Sequence, residues 1–204
     1  MPEKFLDAVR NRRTYYAIGR RAVLPDNDIL RLVEDAVKHA PTAFNSQGAR
    51  VAVLLGKNHD KLWDETTEIL RAVVPAEQFP KTKEKMESFR SGYGTILFFE
   101  DQKTVADLQK KFALYKDNFP VWSLESAGIL QFIVWTALEE AGFGASLQHY
   151  NPLIDKIVAS DWKIPEGWKL LAQMPFGSRE GEPGPKAFLP VSDRVKIFRG
   201  GTNA

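Results

Sequence analysis

Apolar residues recur along this chain in two alternating patterns, helical spacing and short continuous runs, and the order of those patterns predicts the order of its elements. Phe5, Leu6, Ala8 and Val9 outline a short amphipathic helix over 5–12 that delivers Arg12, Arg13 and Thr14 just past its end. Pro25-Asp26-Asn27-Asp28 starts a second helix, continued by Ile29, Leu32, Val33, Ala36 and Val37 as far as His39. It stops before Pro41, because the residue preceding a proline is pushed out of the helical region. Thr42 to Gln47 is therefore loop, and Arg50 to Leu55 is a largely buried strand closed by Gly56. Leu62, Ile69, Leu70 and Val73 share one face of a helix over 59–74. The charged stretch from Pro75 to Ser91 lacks a strong apolar period and predicts an exposed helix or a mobile flap.

Gly94 to Glu100 is a second strand, rich in branched and aromatic side chains. A short helix over Val105 to Tyr115 is interrupted by Asn118-Phe119-Pro120. Ser123 to Ala141 is the strongest helix, with Ser123 as its cap and Gly142 to end it in a left-handed turn. Its apolar residues cover nearly the whole circumference, which predicts burial on every side, at the centre of the fold or in a shared interface. Gly142 to Gln148 reads as turn then strand, Pro152 to Ser160 as a short helix, and Trp168 to Phe176 as a further strand. Ser178 to Pro190 is an irregular Gly- and Pro-rich connector. Val191 to Arg199 can form a final strand that reaches a neighbouring subunit. Strands separated by helices give an α/β or α+β fold, and 204 residues suit a single domain over 1–204.

Composition narrows the function classes. Hydrophobic residues at 44% and charged residues at 26% are ordinary for a folded globular chain. The net charge of +2 comes with lysines alternating with acids, so no basic stripe marks a nucleic-acid partner. Cysteine is absent, which excludes disulfides, thiolate metal sites, iron–sulfur clusters and a cysteine nucleophile. Any redox work then falls to a bound cofactor. No run approaches the roughly 18 apolar residues of a membrane span and the N-terminus lacks a signal-type apolar region, so a cytoplasmic protein without membrane attachment is expected.

The chemistry-bearing residues are Arg12-Arg13-Thr14 and Ala40-Pro41-Thr42-Ala43-Phe44-Asn45-Ser46-Gln47. Guanidinium forks match phosphate oxygens, while Asn45 and Gln47 offer donors and acceptors to a polyhydroxyl chain or heterocycle. Each also has a bland reading, as a solvated helix end or a turn residue. Phe44, Phe119 and Trp122 can stack on a planar ring. Gly142-Phe143-Gly144 follows a helix and lacks the third glycine of a dinucleotide fingerprint. The phosphate-loop pattern and a serine nucleophile elbow are also missing. His39, His59 and His149 have no metal-ligand spacing, so no metal is expected; His39 and His59 read as core or surface residues. His149 sits among polar groups at Ser146-Leu147-Gln148-His149-Tyr150-Asn151-Pro152, where a functional and a structural reading are both open. Glu139-Glu140, toward the end of the long helix, are expected to face solvent.

With these segments in order over essentially the whole chain, the sequence resembles the nitroreductase family of flavoproteins, and within it the nitroreductase-like or fatty-acid-repression-mutant branch. The resemblance implies an α+β fold, with a central mixed or antiparallel sheet surrounded by helices, in an intertwined homodimer that holds FMN at the subunit interface. It also implies an FMN-dependent NAD(P)H oxidoreductase, with NADH or NADPH as donor and a nitroaromatic, quinone or similar small molecule as acceptor. The alternative is a flavin-binding regulatory or stress-response protein whose reductase activity is incidental. By the same resemblance, Arg12 and Thr14, with Arg13 beside them, hold the flavin phosphate and ribityl end, and Pro41, Thr42, Asn45 and Gln47 approach the flavin from the partner subunit. A backbone amide of the Gln148–His149 segment faces flavin N5. No catalytic side chain is required. Tyr16 stands where many members carry a cation near the flavin pyrimidine, and a missing cation stabilises anionic reduced flavin less. The resemblance also implies a second phosphate-binding cation near the C-terminus, with Arg194 the first choice and Arg179 and Lys186 behind it.

Overall fold

The computed structural model describes residues 3–200. Its sheet is organised around β3 (Gly94–Asp101), which pairs antiparallel with β2 (Ala49–Leu55) on one side and β5 (Trp168–Arg179) on the other. Strands β1 (Ile18–Gly19) and β4 (Phe143–Ala145) both pair antiparallel with β5, and the main strand order is β1-β5-β3-β2. Helices cover both faces, which is why β3 is a continuous apolar run and not an alternating one. Ile96 and Phe98 face α2 (Asp26–His39) and α6 (Phe119–Glu140), packing with Ile29, Val33, Leu130 and Val134. Leu97 and Phe99 face the opposite layer, formed by α3 (Lys57–Val73), α4 (Phe79–Arg90) and α7 (Asp155–Asp161), with Trp63, Met86, Phe89 and Val158. With α1 (Glu3–Asn11) and α5 (Gln102–Lys111), the described residues form seven α-helices and five strands in an α+β fold.

Four sequence expectations change. Of the two alternatives for 75–91 the structure takes the helix and not the flap, but α4 is anchored by buried Phe79, Met86 and Phe89, few in number and on one face, where full exposure was expected. Helix α5 begins earlier than Val105, because Asp101 caps it by accepting from the Lys103 and Thr104 amides. Helix α6 begins at Phe119 with Pro120 in its first turn, so the proline starts the helix where an interruption was expected, and Ser123 lies inside the helix. The proposed strand over 191–199 does not form. Apart from a short turn at Val191–Asp193, residues 191–200 are irregular and exposed and pair with no strand of the protomer.

Helix α6 has an exposed side in its first half only; from Gln131 to Glu139 every residue is buried or half-buried. Leu130, Val134 and Leu138 are core, whereas Val121, Leu124 and Ile129 are exposed. By length and composition it is apolar enough to cross a membrane, although polar residues interrupt every long apolar run within it. Its packing against the sheet gives that apolarity a role within the fold.

Candidate functional site

Helix α1 closes with the Arg12 N–H on Ala8 O at 3.0 Å, and the chain then runs beside β4, where the Tyr15 N–H donates to Ala145 O at 3.0 Å. Tyr15 packs so closely that a Cβ at position 144 would lie 2.8 Å from its own Cβ, hence Gly144. Gly142, at φ 95°, makes the expected left-handed end of α6.

The Arg12 guanidinium carbon lies 4.3 Å from the centre of the Trp135 ring. One of its nitrogens, Nη1, is buried with no hydrogen-bond partner among the described residues. A guanidinium held by an aromatic face and left with an unmet donor is a ready seat for an anion. Thr14 is half-buried and Tyr16 is exposed. The Arg13 N–H donates to Glu139 Oε2 at 2.6 Å, and its Nη2 donates to Gly184 O. Glu139 is therefore turned inward and buried, not solvent-facing as expected. Burial raises its carboxyl above the ordinary range, against the opposing pull of the Arg13 amide and the charges of Arg179, Arg12 and Arg13.

Arg179 stacks on Tyr15 at 4.8 Å and donates to Glu139 O at 2.7 Å and Phe143 O at 3.1 Å, tying the last turn of α6 to the first residue of β4. That commitment weakens its claim as a phosphate ligand. Arg194 and Lys186 stand on the exposed C-terminal arm, and Lys186 Nζ lies 5.2 Å from the Phe188 ring.

Beyond β4 the chain keeps its hold on β5. Gln148 is buried, with its Nε2 on Ser146 Oγ at 3.0 Å, while His149 is exposed. The Gln148–His149 segment thus continues from the end of β4, whose Ala145 O accepts the amide of Tyr15, the residue that follows Arg12, Arg13 and Thr14. Tyr150 packs against Trp63 and Phe89, and burial, with a smaller contribution from Tyr16, pushes its hydroxyl up to about 12.

The Pro41–Gln47 loop sits elsewhere, at the first turns of α6. Phe44, Asn45 and Gln47 have φ of 55°, 51° and 51°, left-handed non-glycine residues on either side of a right-handed Ser46, each costing on the order of 1 kcal/mol. Thr42 Oγ1 accepts the Gln47 N–H at 3.1 Å and Arg50 donates to Gln47 O at 2.7 Å, holding the loop closed. The strained turn presents the Phe44 ring to Phe112, Phe119 and Trp122, with centroids at 4.9, 5.4 and 5.9 Å. A groove of about 370 Å³ lies between this loop and α6, lined by Thr42, Phe44, Trp122, Glu125, Ser126 and Ile129 among others. Pro41, Asn45 and Gln47 are exposed. Trp122 and Trp135 are separated by about 20 Å along α6 at the rise of about 1.5 Å per residue. One protomer therefore keeps its loop and its Arg12 seat apart.

Among the described residues no group of three or more His, Asp or Glu side chains could hold a metal ion. His59 is a buried core residue and His39 is exposed. Trp135, Glu139 and Gln173 belong to the site's framework yet carry no sequence signal, since two read as ordinary helix positions and one as a strand interior.

Residues 9–178 match the Nitroreductase family. The Saccharomyces cerevisiae protein HBN1 is 37% identical over 198 residues, covering 95% of this chain and 96% of HBN1. Nitroreductase FRM2 of the same yeast is 35% identical over 190 residues, covering 91% of this chain and 93% of FRM2. The structure of nitroreductase CinD from Lactococcus lactis in complex with chloramphenicol matches with a TM-score of 0.89 at 47% identity, over 96% of this chain and 100% of that one. CinD in complex with 4-nitrophenol matches with a TM-score of 0.88.

Proposed function

The chain belongs to the nitroreductase family of oxidoreductases, and from that premise we propose that it is an FMN-dependent NAD(P)H oxidoreductase that reduces nitroaromatic, quinone or similar acceptors in alternating half-reactions. The observation that carries this reading is the Arg12 guanidinium, fixed over Trp135 with a buried unpartnered nitrogen, two residues before Thr14 in the chain. That donor set fits a phosphate-bearing flavin. Bound FMN would supply the hydride-accepting and hydride-donating centre, which the side chains here do not. Arg12 neutralises the phosphate and Thr14 offers it a hydroxyl, while Arg13 orders the segment through Glu139. Asn45 and Gln47 present uncharged amides to the ring, and the Gln148–His149 backbone approaches it from the strand side. Arg194 is the second phosphate cation. Phe44 and Trp122 offer a flat apolar wall that excludes water and suits a planar acceptor. Binding of chloramphenicol and 4-nitrophenol by CinD supports a nitro-bearing aromatic as that acceptor.

A homodimer is part of the same proposal. Its support is the exposed apolar side of α6, the separation of the loop from the Arg12 seat, and the arm. Val191, Val195 and Ile197 are exposed on that arm, and β2 pairs only with β3 among the described residues, leaving one edge open. An arm laid on the open edge of a second copy pairs both, and the second copy's loop completes the site.

The visible spectrum of the purified protein tests the cofactor. A yellow protein, or a colourless one that takes up one FMN per chain, supports the reading; a protein that stays colourless in excess FMN ends it. The flavin-binding regulator is separated by steady-state turnover with NADH and a panel of acceptors, where rates no better than free FMN favour the regulator.

A further inference from the structure

Gln173, in the interior of β5 between Ala172 and Met174, is fully buried, and its polar atoms converge on one segment. Its N–H donates to Gln148 O at 2.9 Å and its carbonyl accepts the Gln148 N–H at 2.7 Å. Its side-chain Oε1 accepts the Tyr150 N–H at 2.7 Å, and its Nε2 reaches Asn151 Oδ1 at 3.4 Å. A carboxamide in an apolar strand interior is unfavourable unless each of its groups is bonded, so this residue does more than fill space.

The bonds have a directional consequence. The amides of Ser146, Gln148 and Tyr150 are all turned toward β5, onto Pro175 O, Gln173 O and Gln173 Oε1. By the two-residue period of extended backbone, the amides of Leu147 and His149 point the other way. That is the side along which residues 12–16 run, as the Tyr15 bond to Ala145 shows. At Tyr150 the main-chain ladder has ended, and the Gln173 side chain supplies one more rung. Among the described residues the His149 N–H has no partner, while its neighbours on both sides are held.

We propose that Gln173 is a positioning residue: its side-chain amide locks the Tyr150 N–H and so fixes the His149 N–H as a hydrogen-bond donor aimed at the flavin, setting how strongly the reduced ring is held. This rests on the flavin reading above and adds to it the amide used and the group that aims it. Reduction adds electron density to the ring, so a fixed donor holds the reduced state more tightly than the oxidised one. Freeing the donor therefore shifts the flavin potential downward.

The test uses the FMN-loaded protein. In the wild type, amide hydrogen exchange at His149 slows when FMN is added, while Tyr150 is already slow without it. In Gln173→Met, Tyr150 exchange becomes fast, FMN still binds at one per chain, and the ratio of reduced to oxidised affinity falls about tenfold, about 30 mV for a two-electron couple. Gln173→Asn, which withdraws the amide by one methylene, gives the same shift and serves if the Met variant does not fold. An FMN-loaded wild type whose His149 exchange is unchanged, or a folded variant with wild-type potential, overturns the proposal and leaves the flavin reading intact. A wild type that takes up no FMN fails the flavin reading itself, and the inference falls with it.

Discussion

The Arg12 guanidinium lies over the Trp135 ring at 4.3 Å, so the cation nearest the proposed phosphate seat is held by an aromatic face and not by a carboxylate. An acidic partner would neutralise the charge that has to meet an anion, whereas a ring orients it and leaves the charge in place. Arg12→Ala is expected to raise the FMN dissociation constant at least tenfold, the loss of one charge-assisted hydrogen bond of about 1.5–3 kcal/mol. Trp135→Leu should lose about 1 kcal/mol through poorer orientation alone. Fluorescence titration of the flavin-free protein measures both, and an unchanged constant in the Arg12 variant removes Arg12 from the site.

His59 sets an acid limit on stability. It is fully buried, with Nε2 at 3.1 Å from Arg90 O and Nδ1 at 2.8 Å from Thr95 Oγ1. A carbonyl only accepts, so Nε2 carries the proton, Nδ1 accepts from the Thr95 hydroxyl, and that hydroxyl oxygen accepts from Trp63 Nε1 at 2.9 Å. Burial lowers the imidazole from 6.5 to about 4. The folded state thus resists a proton that the unfolded state takes up below 6.5, and stability falls as pH drops through that window toward about 4. Denaturant titrations should show a loss of about 2 kcal/mol from this group between about pH 7.5 and about pH 5. His59→Gln should remove that part of the slope, and an identical slope in the variant would refute the assignment.

The dimer reading predicts that a charge on the exposed side of α6 separates the subunits. Ile129→Asp should sediment as a monomer and lose FMN, while its far-ultraviolet circular dichroism stays that of the wild type. A wild-type protein that sediments as a monomer with FMN bound would contradict the shared site.

Phe44 is expected to matter for the acceptor and not for the donor. Phe44→Ala removes a ring that contacts Phe112, Phe119 and Trp122, and the KM for an aromatic acceptor should rise by up to about tenfold, the scale of one aromatic pair. Stopped-flow reduction by NADH should proceed at the wild-type rate. Equal losses in both half-reactions would mean that the ring supports the loop instead of the acceptor.

Most of the fold was legible because its signals are local. The 3.6-residue spacing of Ile29, Val33 and Ala36 and the unbroken run at 94–101 each reflect a face that meets the core. The failures came where a partner decides the structure. Phe79, Met86 and Phe89 look sparse until α3 is placed beside them, and Val191 to Arg199 has strand composition but joins no strand of its own protomer. At the site, Arg12, Thr14 and Gln148 were visible in the motifs. Trp135, Glu139 and Gln173 were not, since a tryptophan and a glutamate in an apolar helix and a glutamine in a strand acquire their roles only through contacts made across the fold.

Helix α6 carries Trp135 near one end and Trp122 near the other, and in the proposed dimer those two ends serve different cofactors. A tilt of this one rod would shift the phosphate seat of its own subunit and the acceptor wall of its neighbour in a single motion. The two centres would then behave as a mechanically linked pair, with filling of one changing the rate at the other.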